Sequence, residues 1–329
     1  MVILKKKLNT ENTKKKFNVR ETIKKNSKNI TEGSLNVYVR SAKRLLTLAN
    51  LNEFPVTPGW LLKKELLQKF DNLSLEKRRS LGVVAVKLSD AYSLDRKKTF
   101  PWVQRMNKTS DEYNEKRSKR EWSEREKKKK PEKGWNDVVR LSKFLMKTNK
   151  RFFNKPLDQI KRKDLYNMQR AIIWYLFKSL PLRLTYANIH VKQPDSTKHN
   201  FIFKTKKGRG VWKIVLNDHK TFKFRGKIEH NLQKSLSRYL NKFIPASKKL
   251  NNHDFLLANR NGSRMTKSGL SKYLTRESAK FFGNNGFSAG MIRILFATHN
   301  RHALEKQKNV SEKLGHKNAE TTLGYSRKN

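Results

Sequence analysis

Apolar residues recur three and four positions apart between Leu35 and Leu46, at Leu35, Tyr38, Val39, Ala42, Leu45 and Leu46. That spacing lines one face of an α-helix, and Ser34 suits its N-cap. Pro55 and Pro58-Gly59 break the pattern. A second helix is predicted from Trp60 to about Phe70, and Ser74 opens a third that carries Leu81, Val84, Ala85, Leu88 and Tyr92. Together they predict an all-helical domain over residues 31–102. Residues 1–30 are polar and basic with little periodicity and read as a flexible arm. Residues 103–134 are charged or polar at nearly every position and read as a solvated helix and linker.

Trp135 restarts the apolar pattern. The run Leu165, Met168, Ile172, Ile173, Leu176 and Phe177 has helical spacing and ends at Leu180-Pro181-Leu182-Arg183. Short β-type runs follow at 187–191, 200–204, 211–216 and 226–230, with Gly208 and Gly210 in the turn between the second and third. Next come a helix through Phe243, a short apolar stretch at Phe255-Leu256-Leu257, and helices from Thr266 to about Phe282 and from Ser288 to about Lys306. Two more are predicted from Val310 to Leu314 and from Ala319 onward. Helices, a small antiparallel sheet and more helices predict an α+β second domain over residues 135–329.

Charge adds a partner to this outline. Lys plus Arg number 77 against 27 Asp plus Glu in 329 residues, a formal charge of +50. Local pairing cannot neutralise such an excess, so it calls for a polyanion, and nucleic acid is the usual one. Charge alone fits a protein that merely coats nucleic acid equally well. With no cysteine in the chain there is no disulfide and no thiolate metal site. No apolar run approaches the ~20 residues of a membrane span, so no membrane partner is expected. The N-terminus lacks the apolar core of a secretory signal, while its lysine-rich, acid-poor character leaves a transit peptide open. Basic clusters such as Lys127 to Lys130 match a nuclear signal, a match of little weight in so basic a chain.

The last forty or so residues carry the candidate chemistry. Arg293 lies about one turn inside the helix opened by Ser288, where the helix end favours an anion. Arg183 stands where the chain turns from helix to strands. Leu314-Gly315-His316 precedes Thr321-Thr322-Leu323-Gly324-Tyr325, with the tyrosine nine positions after the histidine. A guanidinium holds phosphate oxygens bidentately, and a tyrosine attacks a phosphate effectively only when cations surround it.

Arg183 in LPLRLTY, Arg293 in MIRILFAT and the block LGHKNAETTLGY together resemble the tyrosine recombinase/integrase superfamily. The resemblance covers roughly residues 135–329, and residues 30–100 are more loosely similar to the helical core-binding domain of that family. The phrase NDHKTFKFRGKIEH is similar to forms from eukaryotic DNA viruses and related mobile elements. The resemblance implies that Tyr325 attacks the scissile phosphate to form a 3′-phosphotyrosine, without ATP or metal and with no cofactor. It implies that Arg183 and Arg293 hold the non-bridging oxygens and that His316 donates a hydrogen bond or assists proton transfer. The family protonates the leaving 5′-oxygen with a lysine on a β-hairpin. Lys204, Lys206 and Lys207 compete for that role with Lys220, and strand order favours Lys220. Arg40, Lys43 and Arg44 on the first helix, Lys206, Lys207 and Arg209 in one turn, and His219 beside Lys220 are expected to contact the DNA.

One position departs from the family. Gly290 stands three residues before Arg293, where a histidine is usual, and glycine offers no side chain to a phosphate or a proton. Only four residues follow Tyr325, so subunit-linking contacts are expected to come from elsewhere. The implied function is site-specific strand exchange on double-stranded DNA, for integration or excision of a viral or mobile element. The implied architecture is a two-domain clamp, acting as a dimer on one site and a tetramer in synapsis. No compartment is assigned; a host nucleus and a viral factory both fit. A type IB-like topoisomerase and a DNA-binding protein that has lost catalysis are the alternatives.

Overall fold

The computed structural model describes residues 17–27, 29–191, 198–205, 210–283, 286–301 and 313–314. The chain divides into two compact units, Met1–Lys119 and Arg120–Asn329.

Among its described residues the first unit is all helical: α1 (Val19–Lys25), α2 (Glu32–Leu48), α3 (Lys64–Asp71), α4 (Leu75–Ala91) and α5 (Arg96–Ser118). The cap of α2 is Thr31, whose Oγ1 accepts from the Ser34 amide at 3.2 Å, so Ser34 lies inside the first turn. The stretch expected as one helix from Trp60 divides into a 3₁₀ turn at Pro58–Leu62 and α3, because Lys63 is extended. Helix α1 lies in the segment expected as an arm. Its Val19 and Ile23 are buried and Phe17 stacks on Tyr92 at 4.0 Å, but two apolar positions in seven are too few to show a period.

The compact unit also continues past residue 102, where the charge-rich stretch begins. Helix α5 buries Thr99, Trp102 and Thr109. Trp102 donates its Nε1–H to the Leu61 carbonyl at 2.9 Å and meets Phe70 edge-on at 5.1 Å. Gly82 on α4 allows the close approach: a Cβ there would lie 3.4 Å from the Phe70 ring and 3.5 Å from the Met106 backbone. Arg105 grips Asp71 through two nitrogens, and Arg78 meets Glu112 at 2.7 Å. Half-buried ion pairs and a narrow stripe hold α5 in place, which is why its overall polarity hides it.

The second unit is built on α7 (Trp135–Asn154) and α8 (Arg162–Ser179), after a short α6 (Glu124–Lys127). Every residue from Ala171 to Phe177 is buried, so α8 is the central helix and α7 covers it with an amphipathic face. The Tyr186 hydroxyl donates to the Leu176 and Leu180 carbonyls and closes the C-terminal end of α8.

Four strands follow in the order β1 (Ile189–His190), β2 (Asn200–Lys204), β3 (Trp212–Leu216) and β4 (Ile228–Asn231), with a short α9 (Phe222–Arg225) between the last two. The sheet is mixed and not antiparallel as expected, because β1 pairs with β2 in parallel. The β2–β3 and β3–β4 pairs are antiparallel. The outer edge of β1 is taken by the Phe255 stretch, through Val191 N to Asp254 O at 2.7 Å and Leu256 N to Ile189 O at 2.8 Å.

Helices α10 (Lys234–Leu250), α11 (Lys267–Phe282) and α12 (Ala289–His299) complete the described fold. Helix α10 runs seven residues past Phe243 and through Pro245, because Ile244, Ala246 and Ser247 keep its buried face going. Helix α12 ends at His299, where Asn300 caps it and donates its side-chain amide to the Phe296 carbonyl at 2.8 Å; residues 302–306 of the stretch expected as helix lie outside the described residues. The expected helices from Val310 and Ala319 fall outside the described residues, except for Lys313 and Leu314, which are helical, with Leu314 buried in the core.

No helix among the described residues is long and apolar enough to cross a membrane.

Candidate active site

Three separate stretches of the second unit converge on one cleft of about 650 Å³. Arg183 reaches it from the turn after α8, Lys220 from the β3–β4 connection, and Arg293 from the first turns of α12. A narrower recess shares these three side chains and extends to Leu314.

Arg183 is the N-cap residue of a 3₁₀ turn, Leu184–Asn188, that carries the chain into β1. Pro181 cannot continue α8, so the polypeptide bends there and brings Arg183 to the cleft wall. Among the described residues the Arg183 side chain makes no ion pair or hydrogen bond, and it is half-buried.

Arg293 is 2% exposed. Ser288, five residues before the arginine, caps α12 through the Met291 amide. The guanidinium donates to the Pro181 carbonyl at 2.9 Å and to the Leu314 carbonyl at 3.0 Å. It therefore ties the bend that carries Arg183 to the chain immediately before Gly315-His316. Several N–H donors in a planar fork suit that double task.

Lys220 is exposed on a connection pinned at both ends. The buried Asn200 side chain accepts from the Asn217 and Asp218 amides, each at 2.8 Å, and donates to the Asp218 carbonyl at 2.7 Å. His219 bridges the connection, with Nδ1 3.1 Å from Thr221 Oγ1 and Nε2 3.0 Å from the Gly226 carbonyl. A carbonyl only accepts, so Nε2 carries the proton and Nδ1 accepts from the hydroxyl. Both ring nitrogens of His219, expected at the DNA, are thus engaged within the turn. Lys213 and Lys227 hold the Glu229 carboxyl down to about 2 by hydrogen bonding, which fastens β3 to β4 beside this turn.

Gly290 lines the same cleft. Among the described residues, a Cβ built there meets only Ser288 Oγ, at 3.5 Å, an ordinary contact.

Lys267 and Ser271 also line the cleft, one turn apart on α11, and Thr266 caps that helix. Sequence reasoning missed them; the signal was a lysine directly after a capping threonine, common enough to carry no weight alone. In the first unit, Arg40, Lys43 and Arg44 are exposed together on α2, and none has an ion pair among the described residues. His316, Tyr325, Lys206, Lys207 and Arg209 lie outside the described residues.

Residues 203–329 match the Phage integrase family. Two curated relatives, the tyrosine recombinase XerC of two Staphylococcus epidermidis strains, are 34% identical over 94 residues. That stretch is 29% of this chain and spans 31% of those relatives' length. In fold, the chain is similar to the Tn1549 transposon integrase solved in complex with a circular intermediate DNA. One such structure gives a TM-score of 0.55 and another 0.52, each at 15% identity over 94% of this chain and 95% of that one. The family match is confined to residues 203–329, and the likeness to the Tn1549 integrase is one of fold.

Proposed function

We propose that this chain is a site-specific DNA recombinase that cuts and rejoins duplex DNA through a 3′-phosphotyrosine, for integration or excision of a viral or mobile element. The observation that carries the reading is the convergence of Arg183, Lys220 and Arg293 on one cleft from three distant parts of the chain. Cations gathered from separate elements match the transition state of phosphoryl transfer, in which charge builds on the equatorial oxygens.

In this mechanism Tyr325 Oη attacks phosphorus, and the bond from phosphorus to the 5′-oxygen breaks. Arg183 and Arg293 hold the non-bridging oxygens. Lys220 gives a proton to the departing 5′-oxygen, and His316 hydrogen-bonds the phosphate. The phenolic proton passes to water, because Gly290 offers no acceptor. The reverse attack by a 5′-hydroxyl of another strand restores the tyrosine and completes exchange. Both units contact the duplex, Arg40, Lys43 and Arg44 through backbone phosphates. Two copies occupy one site and four form the synapse.

The Gly290 gap favours a second reading, a DNA-binding protein without catalysis. One experiment separates the two. The protein is incubated in EDTA with nicked duplexes spanning the boundaries of its own element, and resolved on a denaturing gel beside Tyr325→Phe. A covalent adduct in the wild type alone supports the recombinase. Tight binding with no adduct in either protein overturns it in favour of the second reading.

A further inference from the structure

The motif between β3 and β4, Thr221-Phe222-Lys223-Phe224-Arg225-Gly226-Lys227, does more than carry Lys220 into place. Phe222 is 41% exposed, one of the few large apolar side chains among the described residues that face solvent. It stands two positions after Lys220, in a connection held firmly by its own hydrogen bonds. The Phe222 amide donates to the His219 carbonyl at 3.0 Å and the Gly226 amide donates to the Phe222 carbonyl at 2.8 Å. The His219 ring meets the Phe222 ring edge-on at 5.8 Å, and Gly226 takes the positive φ of 64° that ends the short helix. The ring is thus presented outward on a braced turn, where a mobile loop would let it collapse onto the core.

We propose that Phe222 contacts a nucleobase, packing against or between bases next to the phosphate that Lys220 serves. Duplex DNA is the occupant argued by charge: Lys220, Lys223, Arg225 and Lys227 flank the ring in sequence, and the chain as a whole carries +50. Basic residues interleaved with an exposed aromatic are the chemistry that grips a backbone and stacks on a base. The inference rests on the DNA-recombinase reading but not on its covalent step.

The test is equilibrium binding of the full chain to a short mixed-sequence duplex over a range of salt concentrations. Stacking releases no counterions, whereas a phosphate contact contributes about −0.9 to the log–log slope. Phe222→Ala is expected to weaken binding about tenfold at every salt concentration and leave the slope unchanged, with Phe222→Trp restoring affinity. Lys220→Ala is expected to make the slope shallower by about one unit. A duplex substituted with 2-aminopurine should brighten on binding wild type and Tyr325→Phe, and not on binding Phe222→Ala. Circular dichroism checks the variant's fold. Wild-type affinity and brightening in Phe222→Ala overturn the proposal. So does a slope change equal to that of Lys220→Ala. Absence of an adduct with the Phe222 effects intact sinks only the covalent chemistry.

Discussion

The two units use the same basic residues in opposite ways. On α2 of the first unit, Arg40, Lys43 and Arg44 are exposed on a helix that buries Leu35, Ala42, Leu45 and Leu46 of its own. In the second unit, Arg183, Lys220, Lys267 and Arg293 turn toward one cleft, and Arg293 is buried against two carbonyls. An outward row meets an extended polyanion, with each charge acting almost alone and screened by salt. A convergent set can concentrate on one phosphate, where less water screens it. In the proposed function, chemistry belongs with the second arrangement and affinity with the first.

The largest effect that would break this contrast comes from Arg293. Arg293→Ala is expected to lower adduct formation at saturating DNA by on the order of a hundredfold or more. It also leaves the Pro181 and Leu314 carbonyls unsatisfied, at a cost of about 1–3 kcal/mol in stability. A gel time course and a denaturant melt measure the two. Arg293→Lys should recover little, since an ammonium lacks the planar fork.

Replacing Arg40, Lys43 and Arg44 together with alanine should act the other way. Adduct formation at saturating DNA stays near wild type, while affinity falls and the salt slope becomes shallower by up to about 2.7, at roughly 0.9 per phosphate contact. A loss of cleavage at saturation would mean that the outward row takes part in chemistry, and the comparison fails.

Gly290→His sharpens the picture within the cleft. The site accepts a Cβ without a clash, so the fold should be retained, and a proton acceptor beside the phosphate should raise the cleavage rate about tenfold. An unchanged rate, measured by single-turnover cleavage, would show that proton removal does not limit the reaction.

The smallest effect concerns the hairpin that carries Lys220. The Glu229 carboxyl is held down from 4.5 to about 2. Its ion pairs therefore stabilise β3–β4 fully above pH 4.5, and that contribution disappears as pH falls toward 2. The group is over a third exposed, so solvent screening keeps the effect small. Thermal melts between pH 2 and 5 should show a slightly steeper loss for wild type than for Glu229→Gln, and no difference in that slope near neutrality.

Much of this arrangement was legible in the chain, for reasons that are local. The Ser74 and Ser288 caps, the extent of β2 and the helical run of α8 follow from propensity and spacing within a few residues. The packing of helix α5 into the first unit was not legible, because its buried stripe of Thr99, Trp102 and Thr109 lies among charged residues and through Pro101. The parallel pairing of β1 was not legible either, since two residues carry no sign of strand direction. At the cleft, the order of Arg183, Lys220 and Arg293 singled them out in the sequence, whereas Lys267 and Ser271 carried no distinguishing pattern.

The sequence by itself determined the residue types, most of the elements and the excess of positive charge, because these follow from neighbours along the chain. Only the tertiary structure decided that Arg183 and Arg293, 112 residues from the Pro181 carbonyl to the guanidinium that binds it, share one wall. That meeting depends on how α8, α12 and the sheet bury their apolar faces together. Buried faces select partners by shape and volume across the whole core, and no local period encodes that choice.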